Sequence, residues 1–151
     1  MLDAQKKRVI FIEQVVNFKK HKHTIIHCIP VPMSFYADAP AFFKEAILDA
    51  EEEWQQHKKL IVTTDRGFRR SMTSKLPYFH VWFDPNSGYG HIIENPKEWK
   101  DYFGQQVIAN VLDIPTDLWR KPRRAMKEEL NIESFKSAWK PFDWTDILYD
   151  K

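Results

Sequence analysis

The sequence predicts an α+β fold in which an antiparallel sheet is flanked by helices. Several short runs are rich in β-branched and aromatic residues, as strands are, whereas other segments repeat apolar side chains at helical spacing. The two kinds of segment do not alternate regularly as βαβ units, which favours antiparallel pairing. With 151 residues, 43% of them hydrophobic, the chain can bury a core of its own.

The first two strands are predicted over residues 8–15 and 23–32, with a basic loop between them. Pro30 and Pro32 should end the second strand, because proline has no N–H group to donate to a neighbouring strand. A helix is then predicted over 41–54, after a polar stretch that contains Pro40, and Asp38 is placed to cap it. Its apolar residues at helical spacing are Phe43, Ile47, Ala50 and Trp54.

The second half begins with a short strand over residues 59–64, a basic loop, and a β-hairpin over 78–94 whose turn is Asp84-Pro-Asn-Ser-Gly88. Strand alternation puts two sets of rings on opposite faces. One face carries Phe79, Val81 and Phe83, and the other carries Tyr78, His80 and Trp82. Helices are predicted over 99–112 and about 123–138. We expect the tail to be anchored on the body by Trp139, Phe142 and Trp144.

Positive charge is clustered, although the net charge is only +2. Basic residues gather in residues 1–22, 66–75 and 120–124, whereas residues 45–53 are acidic. This separation would suit an anionic partner such as RNA, and an ordinary solvated surface is the alternative.

The longest apolar run falls far short of the ~18 residues of a membrane span, so no membrane partner is expected. One cysteine, Cys28, excludes an internal disulfide and fits a reducing compartment.

The second strand carries the most informative pattern. His23, Ile25 and His27 would share one face, with neighbours about 6–7 Å apart. Two histidines around an apolar residue, followed by Ile-Pro-Val-Pro, resemble a degenerate strand of the histidine-triad superfamily, in which the middle histidine attacks a nucleotide phosphate. Ile25 stands at that position and has no lone pair, so the resemblance implies no catalytic residue here.

Other interpretations of these histidines stay open. His23 and His27, when protonated, could hold a phosphate without transforming it, or they could be ordinary strand residues. His21 could join them in a metal site, but no nearby carboxylate or thiolate completes a ligand set, so no metal is expected.

Collinear stretches over most of the chain resemble the C-terminal region of the CwfJ family of splicing-associated proteins. They are Cys28-Ile-Pro-Val-Pro, Ala41-Phe-Phe-Lys-Glu-Ala-Ile, Glu53-Trp-Gln-Gln-His-Lys-Lys-Leu-Ile, Leu76-Pro-Tyr-Phe-His-Val-Trp-Phe, Gly90-His-Ile-Ile-Glu, Trp119-Arg-Lys and Phe135-Lys-Ser-Ala-Trp-Lys-Pro-Phe-Asp-Trp. The resemblance implies that residues 1–32 are the last strands of a degenerate histidine-triad-like domain and that 33–151 form a CwfJ-type C-terminal domain.

The same resemblance implies a nuclear, non-catalytic module of pre-mRNA splicing, without a cofactor, that binds RNA and protein. The implied partners are spliceosomal proteins, intron-lariat RNA or snRNA, and the lariat-debranching enzyme. The phosphate-binding candidates would be the clusters Arg66, Arg69 and Arg70, and Arg120, Lys121, Arg123 and Arg124, because guanidinium matches phosphate oxygens. Exposed rings of Tyr78, His80 and Trp82 could stack on unpaired bases.

Each of these implied roles has an alternative. The three rings could pack in the core, and the arginines could form surface ion pairs with the acidic helix. The whole chain could instead be a nucleotide hydrolase or transferase of histidine-triad type, or an adaptor that binds only proteins.

Overall fold

A five-stranded antiparallel sheet organises the protein, as the sequence predicts. In the computed structural model the described residues are 1–18, 25–51, 56–73, 75–120 and 128–148. The strands lie in the order β2-β1-β4-β5-β3 and pair antiparallel throughout. They are β1 (Lys7–Val15), β2 (Ile26–Pro32), β3 (Ile61–Val62), β4 (Tyr78–Asp84) and β5 (Ser87–Ile92).

Five α-helices accompany the sheet in the described part of the chain. They are α1 (Met33–Asp49), α2 (Phe68–Ser71), α3 (Phe103–Val111), α4 (Thr116–Trp119) and α5 (Glu128–Trp139). Short 3₁₀ turns lie at Asp3–Gln5, Lys140–Phe142 and Trp144–Leu148. No helix in these ranges is both long and apolar enough to cross a membrane.

The first helix differs from its prediction at its start. It begins at Met33 instead of residue 41, so Pro40 lies inside it and Asp38 is not its cap. Its buried side chains are spaced four residues apart at Phe35, Ala39, Phe43 and Ile47. This stripe begins two turns earlier than predicted, and its burial outweighs the backbone hydrogen bond that Pro40 cannot donate. The helix also ends earlier than predicted, at Asp49, since Ala50 is already extended; Trp54 lies outside the described residues.

The main core lies between one face of the sheet and helices α1 and α3. The sheet contributes Ile10, Ile12, Val31, Phe79, Val81 and Phe83, the residue after β5 contributes Ile93, and the helices contribute Phe35, Phe43, Ile47, Val107 and Ile108. Each such side chain stabilises the fold by about 1.5–3 kcal/mol on full burial. The alternation predicted for β4 is therefore confirmed for the face with Phe79, Val81 and Phe83.

The first two strands belong to the same sheet as the hairpin. β1 pairs with β2 on one side and with β4 on the other, so it links the two sides of the predicted boundary at residue 32. The derivation of residues 1–32 from a histidine-triad-like domain stays a prediction.

The tail differs from its prediction. The sequence predicts that Trp139, Phe142 and Trp144 anchor it on the body, but these rings are 38%, 47% and 65% exposed. The Phe135 and Trp139 rings instead stack on each other along α5, with centroids 6.5 Å apart. The tail rings therefore lie on the surface and not in the core.

Candidate functional site

Two adjoining cavities lie between the start of α3, the β1–β2 pair and α4. The first has a volume of about 430 Å³ and the second about 400 Å³. Asp101 and Gln105 line both cavities, so we treat them as one groove, the α3 groove. Its remaining lining residues are Ile12, Gln14, Val15, Val16, Asn17, Ile25 and His27 in the first cavity, and Tyr102, Trp119 and Arg120 in the second.

Strand pairing explains why His27 lines the first cavity of the groove. His27 pairs with Ile12 of β1, and both side chains face α3, since paired residues of antiparallel strands share a face. Ile25 lines the same cavity and is 52% exposed. His23, the other predicted phosphate-binding histidine, lies outside the described residues. The structure thus keeps Ile25 and His27 on one side, as strand alternation predicts.

The second cavity, which Tyr102 and Trp119 line, depends on a chain reversal after α3. Asp113 has a φ of 51°, in the left-handed region, and the N–H of Ile114 donates to the Ala109 carbonyl oxygen at 2.8 Å. Residues 116–120 then return to the start of α3. There the Trp119 and Tyr102 ring centroids are 5.7 Å apart.

Arg120 lies over the Tyr102 ring. Its Cζ atom lies 4.3 Å from the Tyr102 ring centroid, in cation–π geometry. The side chain is exposed, so its outer N–H groups can donate to a ligand. Lys121, Arg123 and Arg124, the other members of its cluster, lie outside the described residues.

The residues that line the α3 groove are suited to binding. They offer side-chain amides, one imidazole, one carboxylate, one guanidinium and two aromatic rings. Cys28, the neighbour of His27, pairs with Phe11 and therefore points to the opposite face of the sheet. The groove can thus hold an aromatic, anionic or hydrogen-bonding group.

A second basic surface lies on the opposite face of the sheet. Arg66, Arg69 and Arg70 are exposed on α2 and the loop before it. In the described part of the chain none of the three forms an ion pair within 4 Å. We call these three residues the α2 arginines. The structure separates them from Arg120, the described member of the other predicted cluster.

Phe68 packs α2 against the sheet and covers the rings of Tyr78, His80 and Trp82, which the sequence suggested as base-stacking residues. Its centroid lies 4.4 Å from that of His80, 5.2 Å from Tyr78 and 6.0 Å from Trp82. His80 is fully buried and Tyr78 is 7% exposed, so the prediction that they stack on bases is wrong for this structure. Trp82 is half-buried. The alternative of core packing therefore holds for the first two rings.

Burial perturbs the titration of both covered rings. Desolvation lowers the pKa of His80 to about 3, because a buried imidazolium would lose its hydration. The ring nitrogen Nε2 of His80 lies 3.0 Å from the Thr63 hydroxyl oxygen. Burial also raises the pKa of Tyr78, and the nearby Glu13 carboxylate raises it further. Both groups are therefore neutral at pH 7.

Sequence reasoning missed a buried histidine–carboxylate pair on the core side of the sheet. His91 Nδ1 donates to the Lys59 carbonyl oxygen at 2.7 Å, and Nε2 lies 3.0 Å from Glu51 Oε2. The Glu51 carboxylate also accepts the backbone N–H groups of Glu94 and Asn95. This pair joins the segment after α1 to the end of β5. The sequence shows no spacing signal for it, since forty residues separate its members.

A second pair extends this network towards the surface. His57 Nδ1 lies 2.9 Å from Glu94 Oε1, and Glu94 also accepts the backbone N–H groups of Gln56 and His57. Burial alone would raise the pKa of Glu94, but these hydrogen bonds outweigh it and lower the pKa.

His91 and His80 point to opposite faces, since Phe79 is the residue that pairs with His91. No group of three possible metal ligands lies among the residues the structure describes.

Comparison with known proteins identifies the family. Residues 53–145 match the family described as proteins similar to the CwfJ C-terminus 2, over more than half of the chain. The chain belongs to this family. The sequence-based resemblance to the CwfJ C-terminal region is therefore confirmed.

Curated relatives of this CwfJ-type chain are longer proteins. It is 38% identical over 160 residues to the pre-mRNA-splicing factor cwf19 of Schizosaccharomyces pombe, covering 99% of the chain and 25% of that protein. It is 39% identical to CWF19-like protein 2 of Mus musculus, covering 96% and 17%, and 39% identical to the Homo sapiens protein of that name, covering 90% and 15%. The chain spans about a quarter or less of these relatives.

Proposed function

We propose that the chain is a non-catalytic module of a nuclear pre-mRNA-splicing factor that binds RNA. The observation that carries this proposal is the 38% identity to a named pre-mRNA-splicing factor over 99% of the chain. The α2 arginines and the Arg120 end of the α3 groove supply guanidinium groups that suit phosphate oxygens. The module contacts intron-lariat RNA or snRNA late in splicing, next to spliceosomal proteins and the lariat-debranching enzyme.

The α3 groove supports binding without turnover. Ile25 occupies the position that would need an imidazole for attack on a phosphate, and an alkyl side chain cannot form the covalent intermediate. His27 beside it can donate a hydrogen bond but has no partner histidine within the described lining. A histidine-triad-type hydrolase is the second candidate. It would require release of nucleotide from adenosine phosphoramidate or a capped dinucleotide, stopped by His27→Ala.

The binding test compares wild type with Arg69→Glu/Arg70→Glu, using fluorescence anisotropy of linear and branched RNA at two salt concentrations. We expect salt-sensitive binding in wild type. The variant should bind at least tenfold more weakly, and its salt slope should fall by about 1.4, since each single-strand phosphate contact contributes about 0.7. The matched control is Lys58→Glu/Lys97→Glu, which reverses two exposed charges that belong neither to the α2 arginines nor to the lining of the α3 groove.

Two results separate this proposal from a protein-only adaptor. If wild type binds neither RNA in a salt-sensitive way, RNA binding is contradicted. If Arg69→Glu/Arg70→Glu leaves RNA affinity unchanged but loses capture of a spliceosomal protein, the arginines serve protein contacts and the adaptor is favoured. Loss of RNA affinity with unchanged protein capture contradicts the adaptor.

A further inference from the structure

We propose that the α3 groove binds a single unpaired nucleotide of RNA and prefers guanine. Trp119, held against Tyr102, would stack on the base, Asp101 would accept hydrogen bonds from its edge, and Arg120 would contact its phosphate. This inference rests on the RNA binding proposed above and adds the site and the base. The stacking residues are different from the rings that the sequence indicated.

The size of the groove fits one nucleotide. Each of its two cavities is about 400 Å³, at the lower end of the range of about 300–1,000 Å³ that small-ligand pockets occupy. A duplex could not enter, whereas a base turned out of a single strand could. Sequence-specific RNA recognition commonly uses such splayed bases.

The stacking surface is already assembled without a ligand. Trp119 and Tyr102 are half-buried and contact each other, so little side-chain freedom remains to be lost on binding. The Arg120 guanidinium is held over Tyr102 at 4.3 Å, which fixes the positive charge beside the rings. Aromatic rings stack on bases of any sequence, so this part provides affinity rather than selectivity.

Asp101 would determine how a nucleotide is oriented in the groove and which base is preferred. Asp101 and Arg120 line the same cavity but form no ion pair with each other. The carboxylate repels phosphate, so the phosphate faces Arg120 and the base edge faces Asp101. An ionised carboxylate only accepts hydrogen bonds, and guanine is the base with two adjacent donors, N1–H and N2–H, for its two oxygens. The Gln105 amide, shared by both cavities, can bond the remaining base atoms.

The test measures affinity of the full chain for the pentanucleotides UUGUU, UUAUU, UUCUU and UUUUU by fluorescence anisotropy. We expect UUGUU to bind about tenfold more tightly than UUUUU, in line with one bidentate base contact. Asp101→Asn should remove this preference and leave UUUUU affinity within about twofold, because an amide presents only one acceptor oxygen. The matched control is Asp38→Asn, an exposed aspartate on α1 that does not line the groove.

Two further variants test the stacking surface. Trp119→Ala should weaken binding of all four oligonucleotides about fivefold or more, since stacking contributes about 1–3 kcal/mol per base. Trp119→Phe should restore most of that loss, which a simple folding defect would not explain. Trp144→Ala removes an exposed tail tryptophan and serves as the control.

The outcomes distinguish this inference from the proposed function. Salt-sensitive RNA binding that ignores the central base and the Asp101 and Trp119 variants would overturn the nucleotide site and leave RNA binding intact. A preference for uracil or adenine that survives Asp101→Asn would overturn the assigned role of the carboxylate. Failure of the wild-type chain to bind any RNA would overturn both.

Discussion

Two buried histidines show how neighbouring groups decide the chemistry of one residue type. His80 lies among Phe68, Trp82 and the Thr63 hydroxyl, where desolvation disfavours its charged form although Glu13 is its cross-strand partner. His91 lies on the opposite face and contacts the Glu51 carboxylate. The first environment keeps the ring neutral, whereas the second holds the ring between the Lys59 carbonyl oxygen and the Glu51 carboxylate. Both histidines serve the fold, and neither lines the α3 groove.

The His80 environment predicts a loss of stability in mild acid. Its pKa is about 3 in the folded chain and about 6.5 when unfolded. The unfolded state therefore takes up the proton first, and stability falls as pH drops from 6.5 towards 3. Between pH 7 and pH 5 wild type should lose about 2 kcal/mol more than His80→Gln, measured by urea unfolding. Equal losses in the two proteins would contradict this assignment.

At the scale of elements, local signals predicted the hairpin better than the first helix. The alternating rings and the Asp-Pro-Asn-Ser-Gly turn specify β4 and β5, and Asp84 does accept hydrogen bonds from Asn86 and Ser87. For α1, the local signal of Pro40 favoured a later start, but burial of the stripe from Phe35 to Ile47 prevailed. Propensity is a weak guide wherever tertiary burial is large.

The candidate site was predictable only in part, for a physical reason. His27 and Arg120 were identified from residue type, and strand alternation correctly placed Ile25 with His27. The contact between Trp119 and Tyr102 depends on the reversal at Asp113, which a single sequence does not specify. Tyr78 and His80 were base-stacking candidates because the sequence does not show that Phe68 covers them. That contact, like the one between Trp119 and Tyr102, joins residues that are distant in the sequence.

Gly88 is required where β5 meets β4. A Cβ atom there would lie 2.5 Å from the Val81 carbonyl oxygen and 2.9 Å from Thr63 Oγ1. Gly88→Ala must therefore displace backbone or break the contact between Thr63 and His80, and we expect a loss of about 2–3 kcal/mol in urea unfolding. The control Asn86→Ala, in the exposed turn, should change stability by less than about 1 kcal/mol. Similar effects of the two changes would contradict the close approach.

For the whole molecule, the sheet separates two candidate RNA contacts. The α2 arginines lie over the hairpin on one face, and the α3 groove opens beside the helices on the other. A single RNA strand that reaches both must pass around the sheet, so the two sites should contribute nearly independently to affinity. The exposed tail rings and the open face of β1 and β2, with Phe11 and Ile26, leave apolar surface for protein partners.

The proposed function requires that this chain binds RNA without changing it. To test this, purified chain is incubated with labelled branched RNA. The amount of bound complex and the length of the RNA are then measured in the same sample over time. We predict a salt-sensitive complex in which the RNA stays intact and unmodified. Release of nucleotide or debranched product at a rate that depends on enzyme concentration, and that His27→Ala abolishes, would contradict the claim.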